Sequence, residues 1–160
     1  MVAAAPRSEL LSATKLWLGS RYDTFIMVSL KQSLWDGARW THLTREHMIR
    51  TARFLHDRLV KKLGRRLTRH GGMWPFVVFY HDHAGKRLHL HIMAECPSFL
   101  TPEQFERIFR DAAKSLDWIH REIDFRPIKD GATSCGTVVE YCLRGGDGLD
   151  NMIFEASYPA

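Results

Sequence analysis

The stretch Pro75–Glu95, PFVVFYHDHAGKRLHLHIMAE, decides how the chain folds. Two runs rich in aromatic, aliphatic and β-branched residues, Pro75–Asp82 and Arg87–Glu95, flank the short turn Ala84-Gly85. Runs of that length around a Gly-containing turn predict a β-hairpin. Side chains alternate along a strand, so His89 and His91 point to one face and Leu88, Leu90 and Ile92 to the other. With the leucines on the core, the two imidazoles take the open side, where they are well placed to share a cation. A third ligand can come from the partner strand, where His81, Asp82 and His83 sit near the turn. A three-residue loop puts His81 and His83 on the histidine face, and a two-residue loop puts Asp82 there. His81 is the favoured choice. In a chain of nine histidines, one His-x-His also arises by chance.

Outward from the hairpin, the order reads strand, helix, two strands, helix, strand, helix. Thr24–Leu30 is an apolar, β-branched strand. A loop rich in Trp, Asp and Gly, Ser33–His42, follows. Thr44 then caps a long helix from about Arg45 to Arg69, with Met48, Ala52, Leu55, Leu59, Leu63 and Leu67 on one stripe and Gly71-Gly72 at its end. Thr101-Pro102-Glu103-Gln104 is a capping box with Pro in the first turn, and Phe105, Ile108, Phe109, Ala112 and Leu116 form the stripe behind it. Ile119–Arg126 alternates, with Ile123 and Phe125 on one face and Glu122, Asp124 and Arg126 on the other. A last helix spans about Ser134–Leu143 and ends at Gly145-Gly146. The expected fold class is α+β, a central antiparallel sheet of about four to five strands with helices packed on it. Each helix has a single apolar face, so part of the sheet can stay open to a substrate.

The whole chain sets wider bounds. Its 160 residues suit one domain with one sizeable core. The expected organisation is a partly flexible N-terminal extension over residues 1–20 and a single domain over 21–160. A formal charge of +5 and a pI near 9.3 mildly favour a polyanionic partner. Cys96, Cys135 and Cys142 are odd in number and form no C-x-x-C pair, which argues against a disulfide framework and for a reducing compartment. No apolar run is long enough to cross a bilayer, the N-terminus lacks a signal-peptide core, and no phosphate-binding G-x-x-x-x-G-K-[ST] loop is present.

The last helix closes with Glu140-Tyr141-Cys142-Leu143-Arg144-Gly145-Gly146-Asp147. Arg144 lies three residues after Tyr141, on the same helix face. A phenol is a weak nucleophile and needs help to act. A cation one turn away can bind the non-bridging oxygens of a phosphate and offset charge that develops on them. The bland alternative is a helix-end aromatic beside an arginine that serves the helix dipole.

These two motifs together resemble the HUH (His-hydrophobe-His) endonucleases, above all the nicking domains of rolling-circle replication initiators (Rep proteins). The HLH of His89 to His91 lies on a hairpin strand, and the YCLRGGD of Tyr141 to Asp147 lies on a later helix. The resemblance implies an RRM-like sheet and a divalent cation, Mn2+ or Mg2+, held by His89, His91 and His81. It also implies Tyr141 as nucleophile, with Arg144 where the family carries a lysine and Gly146 and Asp147 at the motif's tail. The implied reaction is sequence-specific nicking and rejoining of single-stranded DNA through a covalent 5′-phosphotyrosine. The implied partners are single-stranded DNA at an origin-like site, with or without a hairpin, and a helicase in trans or in a longer parent chain, with no membrane. The implied setting is the cytoplasm for a bacterial, plasmid or phage protein, or the host nucleus for a eukaryotic virus. The family's first motif is weak here, since TFIMVSL has strand character but no Phe-x-x-Thr.

Other readings compete. A one-tyrosine transposase of the same superfamily uses a similar metal pair and tyrosine helix. A non-catalytic single-strand-binding module suits an open sheet but leaves the His pair unexplained. A histidine-triad hydrolase needs a third alternating histidine, where this chain has Met93. Tyr22, Tyr80 and Tyr158 read as structural. The cations of the long helix (Arg45, Arg50, Arg53, Arg58, Lys61, Lys62, Arg65, Arg66 and Arg69) are either a phosphate-binding stripe or a solvated face. Trp35, Trp40 and Trp74 are candidates for stacking on unpaired bases.

Overall fold

Strand β1 (Thr24–Leu30) carries branched and apolar residues on both parities, as a strand covered on both faces must. It is the inner partner of β5 (His89–Ala94) and of β6 (Ile119–Pro127), and β5 pairs in turn with β4 (Phe76–His81). The sheet order is β4-β5-β1-β6 and every neighbour is antiparallel. The computed structural model describes residues 7–18, 22–64, 66–67, 74–81, 87–129, 131–143 and 151–157. The protein is α+β, a four-stranded antiparallel sheet packed against helices, as the residue pattern predicts.

Helices α2 (Arg45–Leu63) and α3 (Pro102–Ala113) cover one face. Met48, Ala52, Leu55 and Leu59 of α2 and Phe105, Phe109 and Ala112 of α3 bury there with Ile26, Val28, Val78, Leu90 and Ile92 of the sheet. Both helices open with capping boxes, Thr44 with His47 and Thr101 with Gln104, each of which satisfies amides that the first turn leaves open. The cations of α2 ride on this side, away from the histidine face. Lys62 pairs with Asp111, Arg58 bonds Ser115, and Arg50 pairs with Glu46 at 3.1 Å. These described cations point to solvent or to neighbouring polar groups, and Arg65 and Arg69 lie outside the described residues.

The opposite face has a smaller core. Helix α4 (Gly131–Cys142) places Val139 and Cys142, with Leu143 just beyond it, over Phe25, Val77, Phe79 and Met93. Tyr22 and Met152 close the sides. The segment 151–157 runs along the outer edge of β4, where Ile153 N donates to Val78 O and Tyr80 N to Asn151 O, both at 2.8 Å. One sheet edge is therefore capped, while β6 forms the other.

Several elements differ from expectation. Helix α2 stops at Leu63, not near Arg69, because Gly64 adopts φ +64° and its amide still reaches Val60 O. Residues 66–67 are helical again, and Gly71-Gly72 lie outside the described residues. The loop Ser33–His42 contains a hairpin, β2 (Ser33–Trp35) and β3 (Trp40–His42), closed around Asp36-Gly37. The expected N-terminal extension contains helix α1 (Arg7–Leu18), which lies against α4. Leu10, Leu11, Thr14, Trp17 and Leu18 recur at helical spacing, a signal present in the sequence and passed over. Among the described residues no helix is long and apolar enough to cross a membrane.

Candidate functional site

The register of the hairpin answers the parity question. His81 stands directly opposite His89, and Phe79 opposite His91, so His81 shares the histidine face. Asp82 and His83 lie outside the described residues. One ring nitrogen from each of His81, His89 and His91 lies within 4.8 Å of the others. The rings form a triangle with centroid separations of 5.0 Å (His81–His89), 4.6 Å (His89–His91) and 5.3 Å (His81–His91).

The hydrogen bonds orient this cluster. His89 Nδ1 is 2.8 Å from Arg87 O, so that nitrogen carries the proton and Nε2 keeps its lone pair. His91 is fully buried, with Nδ1 3.6 Å from Cys142 Sγ and Nε2 buried without a hydrogen-bond partner. Burial, with the charges of His89 and His81 adding to it, holds His91 down at about 3. It is therefore neutral at neutral pH, the form that ligates metals. Burial likewise pushes the Cys142 thiol up, which keeps it a protonated, inert packing group. A buried His91 nitrogen without a hydrogen-bond partner, beside the oriented His89 ring and the nearby His81, fits a cation. The all-imidazole donor set suits transition metals better than Mg2+, which prefers oxygen.

Tyr141 lies on this cluster. Its ring stacks on His91 at 5.3 Å with 20° between planes and lies 6.4 Å from His81 at 25°. It remains 42% exposed, so the phenol is open to a large substrate. Phe25 wedges edge-on against both His91 (5.3 Å) and Tyr141 (6.4 Å). The histidine face is thus partly covered by α4, where the sequence reading leaves it open, and that cover brings the tyrosine to the histidines.

An open groove runs beside Tyr141, with Phe25, Met27 and Val138 as apolar lining and Arg126 and Lys129 as cations. Arg126 bonds Asp124 at 2.8 Å and is opposite Phe25 in the register. The pairing of β1 with β6 shifts between Val28 and Leu30, at the end of β1 where Ser29 faces His89. Such irregularities re-aim side chains near sites.

Arg144, Gly146 and Asp147 lie outside the described residues, as does Tyr158. Tyr22 is buried and Tyr80 half-buried, in keeping with structural roles. Sequence reasoning missed Phe25, Cys142, Arg126 and Lys129. The alternation of β1 and β6 places Phe25 and Arg126 on the histidine face and contained that signal. Comparisons with protein families, curated proteins and solved structures give no match to this chain.

Proposed function

We propose that this chain is a metal-dependent, HUH-type endonuclease that nicks and rejoins single-stranded DNA at a specific sequence through Tyr141, in the manner of rolling-circle initiators. The observation that carries this reading is the stacking of a half-exposed tyrosine on a three-histidine cluster with an orphaned buried nitrogen. A divalent cation at His81, His89 and His91 would act as a Lewis acid toward a phosphodiester. The donor set favours Mn2+ over Mg2+.

In the proposed reaction Tyr141 Oη attacks phosphorus and loses its proton to solvent. The bond from phosphorus to the 3′ oxygen breaks, and that oxygen leaves as a hydroxyl after taking up a proton. The 5′-phosphate stays on the tyrosine. The number of phosphoester bonds is conserved, so a later 3′-hydroxyl can displace the tyrosine and reseal a strand. The strand approaches along the groove beside Tyr141, where Arg126 and Lys129 offset backbone charge and the half-buried Met27 meets bases.

The test uses single-stranded oligonucleotides tiled across the DNA around the gene, with Mn2+ present and products separated on a denaturing gel. The expected result is a slower, metal-dependent band that is missing with Tyr141→Phe and with His89→Ala. A band that survives Tyr141→Phe would overturn the assignment.

A further inference from the structure

The tryptophans that sequence reasoning could not separate divide sharply in the fold. Trp74 is buried and donates from Nε1 to Glu95 O at 2.7 Å. Trp118 stacks on His47 at 4.5 Å. Trp35 and Trp40, by contrast, are 54% and 62% exposed. They face each other across β2 and β3 as the last pair before the turn, ring centroids 5.5 Å apart and planes tilted by 54°. Two indoles held together in water give up apolar burial that the core would provide, so the surface that presents them calls for an occupant.

The hairpin is built to hold its shape. Asp36 Oδ1 accepts from the amides of Ala38 and Arg39, both at 2.9 Å, and Asp36 N donates to Arg39 O at 3.2 Å. Gly37 takes φ +98°, which suits glycine alone. At the root, Leu43 N donates to Gln32 O at 2.8 Å. The Gln32 carboxamide grips Leu88, accepting from its N–H at 3.0 Å and donating to its carbonyl at 3.3 Å. Leu88 immediately precedes His89, so the arm is anchored at the rim of the histidine cluster. From Lys31 to Arg45 the chain carries Lys31, Arg39 and Arg45 against the single acid Asp36. The Arg39 side chain is 82% exposed.

We propose that the β2–β3 hairpin is an arm that grips single-stranded DNA, with unpaired bases stacked on Trp35 and Trp40 and with Arg39 and Lys31 meeting the adjoining phosphates. The choice of DNA rests on the nickase reading, while the exposed indole pair and the local positive charge rest on the hairpin itself. Stacking platforms of this kind bind without strong sequence preference, so the arm would hold the strand while other residues select the site.

The experiment measures binding in EDTA, where no cleavage occurs. Full-length protein is titrated with an end-labelled oligothymidylate of about 20 nucleotides, followed by anisotropy and by tryptophan quenching. The paired substitution Trp35→Ala and Trp40→Ala is expected to weaken binding by about tenfold or more and to remove most of the quenching. Trp35→Phe with Trp40→Phe keeps a stacking surface and retains most of the affinity. A backbone-only oligonucleotide of equal charge, with abasic residues, binds wild type and the alanine pair alike. Unchanged affinity in the alanine pair, with a far-ultraviolet spectrum like wild type, would overturn the proposal. So would a dimer in sedimentation that the alanine pair splits into monomers without a change in oligonucleotide affinity. The two readings fail separately: intact stacking with no covalent adduct removes the nickase and keeps the arm, and the reverse result removes the arm alone.

Discussion

His91 shows how one residue takes on a role that its neighbours impose. It sits in a strand between two core residues, Leu90 and Ile92, yet faces the other way into a pocket closed by α4. Burial keeps it neutral, Cys142 Sγ lies beside Nδ1, and Nε2 is buried without a hydrogen-bond partner. On the proposed metal site, Cys142→Ala is expected to lower Mn2+ affinity by about 10-fold, the usual cost of losing a group that orients a ligating imidazole, as read by calorimetry. Cys142→Ser, which keeps an acceptor, should lose less. Mn2+ should bind more tightly than Mg2+ in the same experiment. Acid titration gives a second prediction. Burial lowers both His91 and His56 from the ordinary value of 6.5, His56 against the opposing pull of Asp57. Below about pH 6.5 the unfolded chain takes up protons that the native histidines refuse. Stability of the metal-free protein is therefore complete above that pH and falls as pH drops, in the case of His91 down to its folded value of about 3. Urea midpoints between pH 8 and pH 5 measure this, and a flat profile would contradict it. The histidine pair was legible because strand alternation fixes its shared face. Strand alternation also put Phe25 on that face, whereas the place of Cys142 was not legible, because it depends on which helix covers the face.

At the scale of elements, chain terminators and caps set the boundaries. A Cβ at Gly64 would meet only Lys61 O, at an ordinary 4.0 Å, so Gly64→Ala is strained by φ +64° and not by a clash. The expected cost is about 1 kcal/mol in urea unfolding. Thr101→Ala removes the capping box of α3 at a similar cost of about 1 kcal/mol. The capping box at Thr101 and the stripes of α2 and α3 were readable because they are local and periodic. The end of α2 was misread because the leucine stripe continues through Leu67, and periodicity outweighed one glycine. The β2–β3 hairpin was passed over although Asp36-Gly37 between aromatic flanks is a recognised hairpin signal. Its strands are only three residues each, too short for alternation to register.

The whole molecule separates two tasks across one sheet. The face under α2 and α3 holds the larger core, and the face under α4 holds the histidines, Tyr141 and the groove. Leu55 is fully buried on the first face. Leu55→Ala should cost about 2–5 kcal/mol of stability and leave Mn2+ affinity near wild type, since the sheet stands between the cavity and the histidines. The fold class followed from the order of elements, since an antiparallel hairpin with one-sided helices admits few architectures. The union of Tyr141 with the histidines did not follow from it. They are 50 residues apart along the chain (from His91 to Tyr141), and only the docking of α4 brings them together. The most direct measurement of the covalent mechanism is peptide mapping by mass spectrometry. The protein is incubated with Mn2+ and a single-stranded DNA pool of randomised sequence, then digested with nuclease and protease. A nucleotide 5′-phosphate on the peptide containing Tyr141, found only when metal is added, is the predicted result. Strand cleavage without that modification, or the same mass on a different residue, would contradict the mechanism.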